Sequence, residues 1–178
     1  MIREMCYYGN PALRTRCQEV TDFGPELKAL IQDLDDTLKS YSGWGLAAPQ
    51  IGVGKRVFII NYFEPDSEGY PIPTDRIKVF INPTITIIDE KTWLHGEGCL
   101  SLPGIYPEIE RPWKIRIEAQ DAEGKTFIEE HEGWMARPLL HENDHLNGVL
   151  TIDRASKQER KEITPALKRL KKRTAKKP

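Results

Sequence analysis

The chain has 178 residues, which suffices for one domain with a sizeable core that needs no disulfide or metal staple. Its composition, 39% hydrophobic and 30% charged with 13 Gly and 13 Pro, excludes a collagen-like, coiled-coil or disordered chain. The sequence predicts a soluble cytoplasmic protein, because its three cysteines are scattered and it has no membrane-length apolar run and no secretory leader. The net charge of −1 argues against a polyanion partner.

The first half of the chain predicts one helix and two strands. Leucines at helical spacing predict a helix that starts near Pro25 and ends at Ser42. Short apolar runs at 56–60 and 78–81 predict strands. The stretch 64–75 between them is rich in Pro, Gly, Asp and Ser, which predicts a mobile surface loop.

The second half predicts a hairpin followed by two helices. The alternating run 114–119 and the run 125–128 predict strands joined by a tight turn. A helix is expected between Gly133 and Asn147, and a last one from about Ser156 into the tail. Helices and mostly antiparallel strands in separate runs predict an α+β fold.

A histidine pair in the first of these helices is the sharpest local signal. His141-Glu142-Asn143-Asp144-His145 places two imidazoles at i and i+4, on one face of a helix. Such a pair binds one divalent ion and leaves Glu142 beside it as a proton carrier. The motif predicts a metal site.

The third ligand separates several classes of metalloprotein. Thr151 stands where one peptidase class has its third histidine, and a threonine is a poor zinc ligand. Glu159 and Glu162 would serve in a second peptidase class, although they lie in a very basic helix. Cys99 offers a thiolate and leaves a fourth position open for water, but a lone cysteine is more often an inert buried thiol. The spacing leaves these alternatives open.

Three blocks together resemble the peptide deformylase family. They are Gly-Trp-Gly-Leu-Ala-Ala-Pro-Gln at 43–50, Glu-Gly-Cys-Leu-Ser at 97–101 and the histidine motif at 141–145. The first two blocks match the family pattern at every fixed position, and their spacing covers most of residues 1–160. The resemblance implies antiparallel strands packed around a central metal-binding helix, with a catalytic domain over 1–153 and a C-terminal helix and tail over 154–178 that extend it.

The family removes the formyl group from the N-terminal formyl-methionine of new polypeptides. The resemblance implies Cys99, His141 and His145 as metal ligands, with water as the fourth. A divalent metal lowers the pKa of its water from ~16 toward ~7, and Glu142 accepts the proton and passes it to the leaving amine. The resemblance implies Fe(II), while zinc, nickel or cobalt suits the same ligands.

Further site residues are implied by the same resemblance. The Gln50 amide and the Leu100 backbone N–H are expected to stabilise the oxyanion, and Arg111 is expected to pair with Glu97. His95 shares a strand face with Glu97, and a structural role is favoured for it over a place in the site. The residues expected to contact substrate are Gly43, Trp44, Gly45, Glu97, Gly98 and Trp134.

Two residues depart from the family pattern. Leu140 precedes the first metal histidine, where the family usually has Gln, and Pro138 falls in the first turns of that helix. They put in doubt the local packing and the rate, and leave open a protein that has lost turnover and acts as a ribosome-associated binding module.

The charge is divided between two parts of the chain. Residues 154–178 hold 11 Lys and Arg against 2 Asp and Glu, whereas residues 1–153 hold 15 against 25. Because the family acts on chains that leave the ribosome, the basic end is expected to contact ribosomal RNA phosphates. The oligomeric state is not determined by the sequence.

Overall fold

The computed structural model describes residues 1–68 and 70–174. Its helices are α1 (Pro25–Tyr41), α2 (Ala136–Leu146), α3 (Thr151–Arg154) and α4 (Lys157–Thr174). Its strands are β1 (Gly45–Ala47), β2 (Val57–Pro65), β3 (Pro71–Ile87), β4 (Thr92–Gly96), β5 (Glu108–Pro112), β6 (Lys114–Gln120) and β7 (Thr126–Glu132). Short 3₁₀ turns lie at Pro11–Arg14 and Ala48–Ile51.

The strands form one large sheet and one separate ribbon. The five-stranded sheet has the order β1-β2-β3-β6-β7, and every neighbouring pair is antiparallel. Strands β4 and β5 form a two-stranded antiparallel ribbon. The predicted α+β fold with antiparallel strands is confirmed.

Strand β2 separates two hydrophobic cores because its side chains alternate between the two faces of the sheet. Val57 and Ile59 pack in a core with α1, whereas Phe58 and Ile60 pack in a core with α2. Helix α2 therefore lies on one face of the sheet, and its packing sets the position of the residues that it carries.

The first helix confirms its predicted bounds. Pro25 is its first residue. A backbone N–H at this position has no helical acceptor, so proline costs the helix no hydrogen bond. Ser42 ends the helix in the left-handed region, and its backbone N–H donates to carbonyls of the last turn. Leu34 and Leu38 are fully buried against the sheet.

The loop predicted over 64–75 is wrong over most of its length. Strands β2 and β3 pair as far as Pro65 opposite Pro71, and the Asp66 carboxylate accepts two backbone N–H groups of the turn. This part of β3 pairs with β2 alone, since its pairing with β6 begins at Ile81. Proline is accepted at such an edge because the outer side of the strand needs no donor.

The basic C-terminal segment is a docked helix. Helix α4 continues through Pro165 as one helix of 18 residues. Leu167 and Leu170 lie buried in a third core that also contains Cys99, and this packing offsets the backbone bond that proline removes. Among the described residues no helix is long and apolar enough to cross a membrane. Residues 175–178 of the predicted tail lie outside the described residues.

Candidate metal centre

Helix α2 and the loop after β4 bring the three predicted ligands together. The sulfur of Cys99 lies 3.3 Å from Nε2 of His145, and the rings of His141 and His145 are 5.1 Å apart between centroids. One ligand atom from each side chain lies within 4.8 Å of the others. Cys99 reaches the pair across 46 residues of chain, so only the fold joins them.

The chemistry of this donor set fits one divalent ion. A thiolate and two imidazoles suit zinc, iron, nickel or cobalt, and three protein ligands leave a coordination position open. Nδ1 of His141 makes a 3.0 Å hydrogen bond with Glu97, which leaves Nε2 free to bind the metal. Within the described chain, these three side chains are the group that meets the spacing of a metal site.

The two imidazoles have opposite electrostatic surroundings. Burial disfavours charge on both rings, but hydrogen bonds to Cys99 and Glu97 outweigh it at His141 and raise its pKa well above the ordinary value. At His145, burial together with the charge of His141 lowers the pKa well below the ordinary value. A lowered pKa favours the neutral imidazole, which is the form that binds metals.

Glu142 lies beside the predicted ligands with a buried carboxylate. Its Oε2 has no hydrogen-bond partner among the described residues, and burial raises the pKa of the carboxyl to about 7. A Cβ placed on Gly45 would lie 2.7 Å from Oε1 of Glu142. Only glycine at this position allows strand β1 to approach the carboxylate so closely.

A buried ionic network holds the first ligand histidine. Glu97 accepts two 2.8 Å hydrogen bonds from Arg111, as the resemblance predicted. Arg111 also donates to Asp144 at 2.7 Å, and Arg154 donates twice to the same carboxylate at 2.5 Å. Although burial opposes ionisation, Arg111 and His141 hold the pKa of Glu97 well below its usual range.

Sequence reasoning missed the role of Asp144. It is the fourth residue of the histidine motif, and its side chain connects Arg111 of β5 with Arg154 at the end of α3. An acidic residue inside the predicted metal-binding helix was the available signal, but Arg111 and Arg154 lie 33 and 10 positions away in the chain.

A cavity of about 700 Å³ opens beside the ligands. Every residue that the sequence predicted to contact substrate lines it, as do Glu142, Gln50 and Leu100. The rings of Trp44 and Trp134 meet edge to face, 6.4 Å apart between centroids. His95, expected to be structural, also lines the cavity, and its ring lies 4.6 Å from that of Trp134. Lining residues that the sequence did not predict include Tyr7, Tyr41, Tyr106 and Arg137.

Gln50 is held with its amide nitrogen toward the second block. Its Oε1 accepts the backbone N–H of Ala47 at 2.8 Å, while its Nε2 donates to the hydroxyl of Ser101 at 3.2 Å. The same nitrogen lies 3.8 Å from the sulfur of Cys99. The side chain is nearly fully buried, so its donor has a fixed direction.

The two departures leave the ligands in place. Pro138 is the third residue of α2, where the backbone N–H groups have no helical acceptor, so its ring costs the helix no bond. Leu140 is half-buried against the core between the sheet and α2.

The two glutamates considered as a third ligand have other partners. Glu159 accepts the N–H of Glu108, and Glu162 accepts from Gln158. Neither glutamate joins the ligand group of the described chain, so a glutamate third ligand is wrong.

Comparison with known proteins assigns the family. The family model for polypeptide deformylases matches residues 2–161. The chain belongs to the polypeptide deformylase family. Membership makes the protein an enzyme, a hydrolase of protein N-terminal processing.

The relatives of this deformylase extend over nearly its whole length. A peptide deformylase of Novosphingobium aromaticivorans is 40% identical over 96% of this chain and 98% of its own. One of Thermotoga maritima is 43% identical over 86% of this chain and 87% of its own. A solved peptide deformylase from Legionella pneumophila has 36% identity, a TM-score of 0.83 and full coverage of both chains.

Proposed function

We propose that this deformylase hydrolyses the N-terminal formyl group of formyl-methionine on newly made polypeptides in the cytoplasm, with one divalent ion held by Cys99, His141 and His145. The observation that carries the proposal is the buried Glu142 carboxylate beside that donor set, on the wall of a cavity open to substrate. A divalent ion bound there supplies Lewis acidity, which brings the pKa of water near neutrality. The ligand chemistry is satisfied by Fe(II), zinc, nickel or cobalt, and Fe(II) is the ion that the family resemblance favours.

Glu142 carries the proton in this proposal. It takes a proton from water as the water oxygen adds to the formyl carbon, and it gives that proton to the amine nitrogen as the C–N bond breaks. A pKa of about 7 suits a group that must both accept and donate near neutral pH. The products are formate and a free N-terminal amine.

In this proposal the Gln50 amide and the Leu100 backbone N–H stabilise the oxygen that becomes negative. Gln50 directs its amide nitrogen toward Cys99, and Leu100 follows that ligand on the cavity wall. Preorganised donors of this kind lower the barrier by about 3 kcal/mol each. The Trp44 and Trp134 rings provide apolar walls for the methionine side chain.

Substitution of Glu142 tests the chemistry. The protein is purified anaerobically with Fe(II) or Ni(II), and amine release from formyl-Met-Ala is followed. Glu142→Gln keeps the shape of the side chain and the three ligands, so we expect full metal content with a rate about 10²–10⁴-fold lower. Cys99→Ala is the matched comparison, because it should lose metal and activity together.

Two results would contradict the proposal. Wild-type protein with a full metal complement and no turnover would reject the hydrolase function. Glu142→Gln protein that retains the wild-type rate would reject only its role as proton carrier.

We further propose that α4 docks the enzyme on ribosomal RNA. Lys161, Lys168 and Lys172 are exposed on one side of the helix, and the buried Leu167 and Leu170 lie on the other. The basic face is therefore presented by a helix that is packed against the body. Phosphate contacts of such a face are electrostatic and sensitive to salt.

A further inference from the structure

Arg137 is a buried arginine that neither the histidine motif nor the family resemblance includes. It is the second residue of α2 and is only 5% exposed, although it lines the cavity. A guanidinium is rarely buried without several acceptors, because the loss of its hydration is costly. Its surroundings therefore indicate what it holds.

The guanidinium connects the ribbon to the network around the metal ligands. Nη1 donates to Glu97 Oε1 at 2.7 Å and to the carbonyl of Ile109 at 3.1 Å, and it lies 3.4 Å from that of His95. Nη2 donates to the carbonyl of Trp93 at 3.0 Å, and the guanidinium carbon lies 4.3 Å from the centre of the Trp93 ring. One side chain of α2 thus binds both strands of the ribbon and Glu97.

With this contact the Glu97 carboxylate has four hydrogen bonds. Arg111 provides two, Arg137 provides one, and Nδ1 of His141 provides the fourth. A carboxylate offers about four lone pairs, so these bonds use all of its acceptor positions. Rotation of the Glu97 carboxylate about χ3 is therefore restricted. Without Arg137, Oε1 would keep Arg111 as its one partner, and three hydrogen bonds instead of four would hold the carboxylate.

We propose that Arg137 is a positioning residue for the metal centre. Arg137 acts through Glu97, which holds His141 with Nε2 toward the ion. The inference rests on the proposed function, since it requires the Cys-His-His group to bind a metal. Residues that orient a ligand histidine typically contribute 10–100-fold to metal affinity. We therefore expect the loss of Arg137 to weaken metal binding by an amount in this range.

Zinc affinity measured against a chromophoric chelator tests this role without any use of activity. Arg137→Gln should bind Zn(II) roughly 10–100-fold more weakly than the wild type. Arg137→Lys keeps the charge but not the planar fork, and it should recover part of the lost affinity. Arg116→Gln is the matched control, because Arg116 is an exposed arginine of β6 that pairs with Glu130 across the strand ladder. The zinc affinity of this variant should equal that of the wild type.

Combination with Glu97→Gln separates a positioning role from general loosening of the fold. If Arg137 acts through Glu97, Arg137→Gln should weaken zinc binding by no more than about twofold in the Glu97→Gln protein. Equal losses in both backgrounds, or wild-type affinity in the Arg137→Gln protein, would overturn the inference. If Arg137→Gln does not fold, the same comparison is made with Arg137→Lys.

A wild-type protein that takes up no zinc would have a wider consequence. That result would remove the proposed metal site and the inference with it. Zinc uptake by the wild type together with unchanged Arg137→Gln affinity would instead leave the proposed function standing and reject the role of Arg137.

Discussion

At the scale of single residues, the candidate site depends on a missing side chain as much as on Cys99, His141 and His145. Gly45 has no Cβ, and an added one would lie 2.7 Å from Oε1 and 2.9 Å from Cγ of Glu142. It would also lie 2.7 Å from Cδ1 of Ile60, so the new methyl group is confined from two sides. Both contacts are too short for real atoms, so the Glu142 carboxylate must move together with the end of the Ile60 side chain.

We expect Gly45→Ala to lower the rate of formyl-Met-Ala hydrolysis by about 10²-fold, because a shift of about 1 Å in the proposed proton carrier, Glu142, has an effect of that size. Metal content should stay complete, since the ligands are not displaced. Gly54→Ala is the control: no atom lies within 4 Å of its added Cβ, and its rate should match the wild type. A Gly45→Ala protein with unaltered rate would show that Glu142 tolerates the displacement.

At the scale of the elements, the position of α2 is set at its C-terminal end as well as by its apolar face. Arg56, just before β2, donates to the side chain of Asn147 at 3.0 Å and to the carbonyl of Leu146 at 3.4 Å. The same guanidinium donates to the carbonyl of Pro83 at 3.3 Å. It thus connects the C-terminal end of α2 to two strands. The helix dipole also stabilises a positive charge at this end.

Removal of this connection should destabilise the protein. We expect Arg56→Ala to lower the free energy of unfolding by about 1–3 kcal/mol, because it leaves half-buried carbonyls without their charged donor. Urea denaturation measures this as a lower midpoint with an unchanged slope. Arg76→Ala removes an exposed pair with Glu64 and should change the stability by less than about 0.5 kcal/mol. Equal stability of the two variants would contradict a special role for Arg56.

At the scale of the whole molecule, the charge is separated between an acidic body and a basic helix. The basic helix cannot be removed cleanly, because Leu167 and Leu170 belong to the core that contains Cys99. A test of ribosome docking must therefore change charge on the exposed face and leave the apolar face intact.

Reversal of Lys161, Lys168 and Lys172 to Glu should weaken ribosome binding by about tenfold or more at low salt and reduce its salt dependence. Sedimentation of the protein with ribosomes over a series of salt concentrations measures both effects. Hydrolysis of formyl-Met-Ala should be unchanged, since the three lysines are exposed on the outer face of α4.

The control variant carries the same change of net charge on the body. Lys28, Lys55 and Lys125 are exposed, and their reversal to Glu should leave most of the ribosome binding in place. If both triple variants bind equally well, or if the wild type binds without salt dependence, docking through α4 is rejected.

Several features of this deformylase follow from the sequence by itself. The two histidines and Glu142 must stand at helical spacing to meet one ion, so the motif predicts the chemistry from neighbouring residues alone. The bounds of α1 and the alternation of β6 are likewise local, since capping residues and side-chain period determine them.

Other features were decided only by tertiary structure. Composition wrongly predicted a loop at 64–75, because it does not record that a partner strand can satisfy that backbone. Cys99 was assigned as a ligand by the family resemblance, because its spacing from the two histidines follows no general rule. The contacts of Asp144 and Arg137 join residues 10 to 44 positions apart. Ion pairs and strand ladders depend on distances in space, and distances between remote segments are set by the packing of the whole chain.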